Sequence, residues 1–198
     1  MSALGLNRFH IVFIFMALLS VMSCDDMSQP EPMEPLLYVP KGFPEPDFPA
    51  DNQFTIERWQ LGKRLFFDPI LSNDQSISCA SCHRPELAFS DDKQLSFGVE
   101  ERIGTRNAPT LANVAYHPYY TREGGVPTLE MQILVPIQEH AEFDFNILLI
   151  ADRLLTDSTY VQESRIAYDR DPDPFVITRA IASFERSLLS GESRYDQY

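Results

Sequence analysis

The chain is poor in the residues that build metal sites. It carries three cysteines and four histidines in 198 residues, and His10, His117 and His140 form no second paired motif. A structural zinc would need two further Cys or His ligands at compatible spacing beyond one Cys-x-x-Cys pair. The only cysteine outside the pair at 79 and 82 is Cys24. A thioredoxin-like redox pair expects a strand-to-helix setting, whereas residues 72–78 are polar and rich in turn formers. Bases are scarce too: 16 Lys and Arg stand against 29 Asp and Glu, a formal charge of −13. That balance argues against a nucleic-acid partner, and it either attracts a basic protein or simply confers solubility. Strand-like alternation and internal repeats are lacking, and the recurring period is helical, so the fold class expected is all-α.

Against these absences stands Cys79-Ala80-Ser81-Cys82-His83, the attachment signature of a c-type haem. Two thiols separated by two residues can add across the two vinyl groups of one porphyrin, and the adjoining His83 then ligates the iron. The cofactor expected is covalent haem c, bound through Cys79, Cys82 and His83.

The N-terminus reads as an export signal, with Arg8 for positive charge, a short apolar run over residues 11–19 and no acid before Asp25. The run is too short to span a bilayer stably. Val21-Met22-Ser23-Cys24 is similar to a bacterial lipoprotein processing box, which makes residues 1–23 a signal peptide and Cys24 a lipid anchor. An ordinary signal peptide with an incidental cysteine is the alternative. Export to the periplasm or cell envelope agrees with the haem, because bacteria attach it outside the cytoplasmic membrane. Residues 24–53 are acidic and carry prolines at 30, 32, 35, 40, 44, 46 and 49, a composition suited to an extended tether. Residues 54–198 suffice for one core around a haem.

Helix signals punctuate that domain. Thr55 caps a helix over residues 56–66 with Ile56, Trp59 and Phe66 near one face, ended by Asp68-Pro69. Gly124, Gly125 and Pro127 open a second, where Leu129, Ile133 and Ile137 recur at fours and Pro136 places a kink near the end. Residues 146–155 form a third, Ser158 caps a fourth, and Pro174 starts a fifth that Gly191 is placed to terminate. The segments between, notably 84–107, are long and irregular, a pattern associated with function or disorder. A haem would supply apolar surface that such a loop-rich domain lacks on its own.

Several ordered motifs together resemble the bacterial dihaem cytochrome c peroxidase family, which includes MauG-like enzymes. They are Leu61-Gly62-Lys63-Arg64-Leu65-Phe66-Phe67-Asp68-Pro69, the haem pentapeptide, Arg106-Asn107-Ala108-Pro109-Thr110-Leu111, Leu129-Glu130-Met131-Gln132 with Pro136-Ile137 and Glu142, and Ala182-Ser183-Phe184-Glu185-Arg186-Ser187-Leu188. The resemblance implies a cytochrome c-like haem domain, the peroxide-reducing N-terminal half of a two-haem enzyme. No second Cys-x-x-Cys-His exists here, so the C-terminal haem domain is expected to be missing from this sequence. By motif position Glu142 matches the acid-base carboxylate and Gln132 the amide that orients peroxide. Asn107 matches a contributor to an interdomain calcium site. The implied partners are hydrogen peroxide, a small cytochrome or cupredoxin as electron donor, the membrane through Cys24, and a second copy in a homodimer.

Two departures bear on mechanism. Many relatives place a capping His between the haem motif and Asn-Ala-Pro; residues 84–116 contain neither His nor Met, and Val99 stands near that place. The expectation is a resting iron without a protein sixth ligand. Arg122 stands where the family commonly has a Trp between its haems, which puts the usual electron route in doubt; Tyr116, Tyr119 and Tyr120 are substitutes in reach. Two alternatives to the peroxidase remain: a monohaem electron carrier, for which Met131 is the sole Met ligand candidate after Met33, and MauG-like oxidation of a partner protein.

Overall fold

The computed structural model describes residues 37–196 and residue 198. The signal segment, Cys24 and the tether through residue 36 lie outside the described residues. Among the described residues seven α-helices carry the fold: α1 Ile56–Phe67, α2 Cys79–Cys82, α3 Leu129–Gln132, α4 Leu134–Gln138, α5 Ile147–Leu155, α6 Ser158–Tyr168 and α7 Pro174–Arg186. Three isolated antiparallel bridges, Arg84 with Ser90, Phe97 with Ile103 and Tyr120 with Val126, pin the loops.

Each longer helix starts on a side chain that satisfies an otherwise orphaned backbone N–H. Thr55 accepts from Arg58 N at 3.2 Å, Asn146 from Leu148 N at 2.8 Å and Asp173 from Val176 N at 2.8 Å. Pro174 follows Asp173 at the first helical position, where its missing N–H costs nothing. Asp157, one residue before the expected Ser158, caps α6. The helix expected from the 129, 133, 137 repeat is two short ones joined at Ile133, yet Leu129, Ile133 and Ile137 all remain buried. The break therefore precedes Pro136 and leaves the apolar face intact. Helix α7 stops at Arg186, and Gly191 instead packs closely on Phe43 and Pro40.

The core lies between α1 and α7. Leu61, Leu65 and Phe66 meet Ile177, Ala180, Ile181 and Phe184 in one apolar cluster, with the Phe66 and Phe184 rings 5.0 Å apart. Gly62 sets the approach: a Cβ there would sit 1.8 Å from the Ala180 carbonyl oxygen, so any side chain would push the helices apart. Ile56, grouped with Trp59 and Phe66 on one face by sequence, is exposed, while Leu61 and Gly62 take the inward positions. The inward stripe runs further round the helix than residues 56, 59 and 66 suggest.

Behind this core runs a buried polar network. Arg186 donates from Nη1 and Nη2 to the two carboxylate oxygens of Glu130 at 2.6 and 2.9 Å, and both residues are buried. Asn52 Nδ2 donates to Glu130 Oε1 at 3.1 Å and to the Arg179 carbonyl at 2.9 Å, while the Tyr168 hydroxyl donates to Asn52 Oδ1 at 3.1 Å. Burial alone would raise the Glu130 pKa, and the Arg186 guanidinium overrides it, holding the carboxyl below its usual range. Asn52 is fully buried, Tyr116 donates to the Pro44 carbonyl at 2.8 Å and Arg179 pairs with Asp51 at 2.7 Å. The proline-rich stretch from residue 40 thus packs along the domain instead of standing off from it, because its few polar and aromatic side chains find partners there.

Candidate haem site

Ser78 starts α2 with its N–H donating to Ser81 Oγ at 3.0 Å, and the His83 N–H closes the turn onto the Cys79 carbonyl at 2.8 Å. One helical turn brings Cys79 and Cys82 to the same side with His83 directly after. All three line a cavity of about 420 Å³, within the usual range for cofactor pockets. Leu71, Ile77, Leu111, Ile133, Ile137 and Ile181 give it apolar walls.

The donor set fits a c-type haem. His83 Nδ1 lies 2.9 Å from the Phe89 carbonyl oxygen, which can only accept, so Nδ1 carries the hydrogen and Nε2 keeps its lone pair for iron. Burial lowers the His83 pKa, against the opposing pull of the Phe89 and Pro109 carbonyls, which keeps the ring neutral as a ligand must be. Burial pushes the Cys79 thiol up, helped by the Glu185 carboxyl. It pushes Cys82 up to about 11, with Asp91 and Glu142 adding to the rise. Such half-buried thiols resist ionisation.

Gln132 and Glu142 line the same cavity, contributed by the end of α3 and by the turn after α4. Glu142 is exposed as a residue, yet partial desolvation of its carboxyl raises its pKa, and the neighbouring Glu139 carboxylate raises it further. A carboxyl with a raised pKa holds a proton more readily than an ordinary carboxylate, which suits it to proton transfer. Met131 is half-exposed and absent from the cavity wall; helical rotation sends it and Gln132 in different directions. The Asn107 Oδ1 accepts from Arg122 Nη2 at 2.8 Å, so the side chain of the expected calcium contributor is engaged by a guanidinium. Among the described residues no group of three or more His, Cys, Asp or Glu side chains is placed to hold a metal ion. His140 lies at the surface, 3.2 Å from Asp144.

Glu185 is the cavity residue that sequence reasoning left without a role. It lines the wall beside Ile181, is 5% exposed, and its Oε2 has no hydrogen-bond partner. Burial pushes its pKa up to about 8, against the pull of Arg186. Its inward direction follows from Ile181 one turn earlier on α7, a spacing readable once the haem-facing side of that helix is known.

A family model described as di-haem cytochrome c peroxidase matches residues 56–198. The chain belongs to the di-haem cytochrome c peroxidase family. Among its relatives are a methylamine utilization protein MauG of Methylorubrum extorquens, 35% identical over 153 residues, and a cytochrome c551 peroxidase of Pseudomonas aeruginosa, 31% identical over 142 residues. The match covers 76% of this chain and 43% of the former, and 70% and 41% for the latter. The crystal structure of a MauG-like protein associated with microbial copper homeostasis superposes with a TM-score of 0.75 at 34% identity, over 81% of this chain and 48% of that one. The chain therefore spans less than half the length of these di-haem relatives. Its helical, cytochrome c-like fold and covalent c-type haem follow from membership.

Proposed function

We propose that this chain carries the peroxide-reacting site of a c-type di-haem peroxidase, consuming hydrogen peroxide, two electrons and two protons to give two waters. The observation that carries the reading is the meeting of His83, Gln132 and Glu142 on one cavity, with the His83 tautomer set by Phe89. When bound, the haem supplies an iron that coordinates peroxide and delivers the electrons for O–O cleavage. Cys79 and Cys82 would hold it by thioethers, and His83 Nε2 would ligate its iron.

The Glu142 carboxylate takes the proton from one peroxide oxygen and returns it to the other, which leaves as water. The Gln132 amide holds the peroxide in line by hydrogen bonding. Ser96, Phe97 and Thr105 also line the cavity, and none is a strong iron ligand. Val99 is buried outside that wall. On this reading the chain would offer a bound iron no protein ligand opposite His83. Ferric haem-loaded protein should bind cyanide rapidly; a low-spin bis-His spectrum contradicts the open position, and resistance to cyanide restores the electron carrier.

Electrons come from a small redox protein, drawn to the acidic surface, through a second haem domain of the kind its relatives contain. Secretion and a lipid anchor at Cys24 place the reaction in the cell envelope; Cys24→Ser should release the protein into the soluble fraction. Glu142→Ala should lower peroxide turnover by about 10²–10⁴-fold, the usual contribution of general acid-base catalysis, and leave the haem spectrum intact. Turnover within about threefold of the parent, far under that range, would remove Glu142 from the mechanism. Oxidation of a partner protein is the second reading, favoured by the 35% identity to a MauG.

A further inference from the structure

Glu142 sits in an irregular turn, and a side chain without helical support needs another means of holding its place. The turn over residues 139–145 is tied to a second loop, residues 98–102, from several points at once. Val99 N–H donates to the Glu142 carbonyl at 2.9 Å. Gly98 presses on the same backbone: a Cβ there would fall 2.2 Å from the Ala141 carbonyl oxygen and 2.6 Å from that of Glu142. The tie is completed by one side chain. Arg102 Nη1 donates to the His140 carbonyl at 2.8 Å and to Asp144 Oδ2 at 2.6 Å, gripping the backbone two residues before Glu142 and the side chain two residues after. Its Nη2 donates to Glu100 Oε2 at 2.5 Å in its own loop. Glu100, Glu101 and Asp144 all have positive φ, between 50° and 57°, conformations that persist where surrounding contacts enforce them.

We infer that Arg102 is a positioning residue for the proton-transferring carboxylate: its guanidinium clamps the two loops so that Glu142 faces the cavity. The inference rests on the reading of Glu142 as the acid-base group. An exposed ion pair alone contributes little to stability, so the importance of Arg102 lies in geometry. It bonds a main-chain carbonyl and two carboxylates on both loops, which a planar fork of five N–H donors can do at once. Misplacing a catalytic group by about 1 Å is enough to cost about 10²-fold in rate.

The test uses the mature haem-loaded protein and the stopped-flow reaction with hydrogen peroxide. Arg102→Met should slow that reaction by about 10- to 100-fold with haem content and helicity unchanged, and Arg102→Lys, a single ammonium that cannot bond the carbonyl and both carboxylates at once, should recover only part of the rate. In a Glu142→Gln background Arg102→Met should change the rate little, because the group it positions is already gone. The inference is overturned if Arg102→Met reacts as fast as the parent while Glu142→Gln is crippled, or if Arg102→Met costs the same factor in both backgrounds. A Glu142→Gln protein with parental rate would sink the underlying reading and the inference with it.

Discussion

The two walls of the haem cavity are built differently. The helical wall, α7 against α1 and α3, is close-packed at Gly62 and Ala180 and backed by the buried Arg186–Glu130 pair. The loop wall, residues 96–111 and 139–145, is held by backbone bonds between turns and by partly exposed ion pairs around Arg102. A buried, doubly hydrogen-bonded pair is costly to break, whereas surface pairs are individually weak. The helical wall therefore keeps the cavity open to a large rigid cofactor. The loop wall presents Glu142, the proposed acid-base group, in a place where a small displacement should change rate and not fold.

Breaking the helical wall should be the larger perturbation. Glu130→Ala strands the Arg186 cation in the interior and leaves Asn52 with one partner fewer, and it should cost about 3–5 kcal/mol of stability, read from the denaturant midpoint. A loss below about 1 kcal/mol, the range of exposed pairs, would show that the two walls do not differ in this way.

A smaller change on the loop wall should spare stability and move the chemistry. Glu142 must be ionised to take a proton, and its pKa is raised by partial desolvation first and by Glu139 second. The peroxide reaction should then decline as pH falls, with a midpoint above the ordinary carboxylate value of about 4.3. Glu139→Gln removes a like charge, eases ionisation of Glu142 and should shift this acid limb to lower pH. Glu139 is exposed, so the melting temperature should hardly change. An unmoved or upward-shifted limb would disconnect the two carboxyls.

Local signals carried much of this structure. The haem pentapeptide, Thr55, Asn146 and the Asp173-Pro174 start are each decided within a few residues, by spacing or by a cap that bonds its own first turn. The repeat at 129, 133 and 137 marks the buried face correctly even though the helix breaks at Ile133, since the break preserves the direction of all three side chains. What was illegible is long-range. Arg102 meets Asp144 across 42 residues, Glu130 meets Arg186 across 56 and Asn52 meets Glu130 across 78. Periodicity reveals that a position faces inward and is silent on what lies opposite. Composition misled in one place: prolines 40–49 read as a tether, yet one buried Asn52 and the Tyr116 bond to Pro44 hold that segment to the domain.

The most direct check on the whole account is intact and peptide mass spectrometry of protein exported from a host competent in c-type maturation. The peptide spanning residues 79–83 should carry the mass of one haem, with no free thiol at Cys79 or Cys82 and loss of the adduct when both are changed to serine. Full-length exported chain with two unmodified thiols and no bound porphyrin would contradict it.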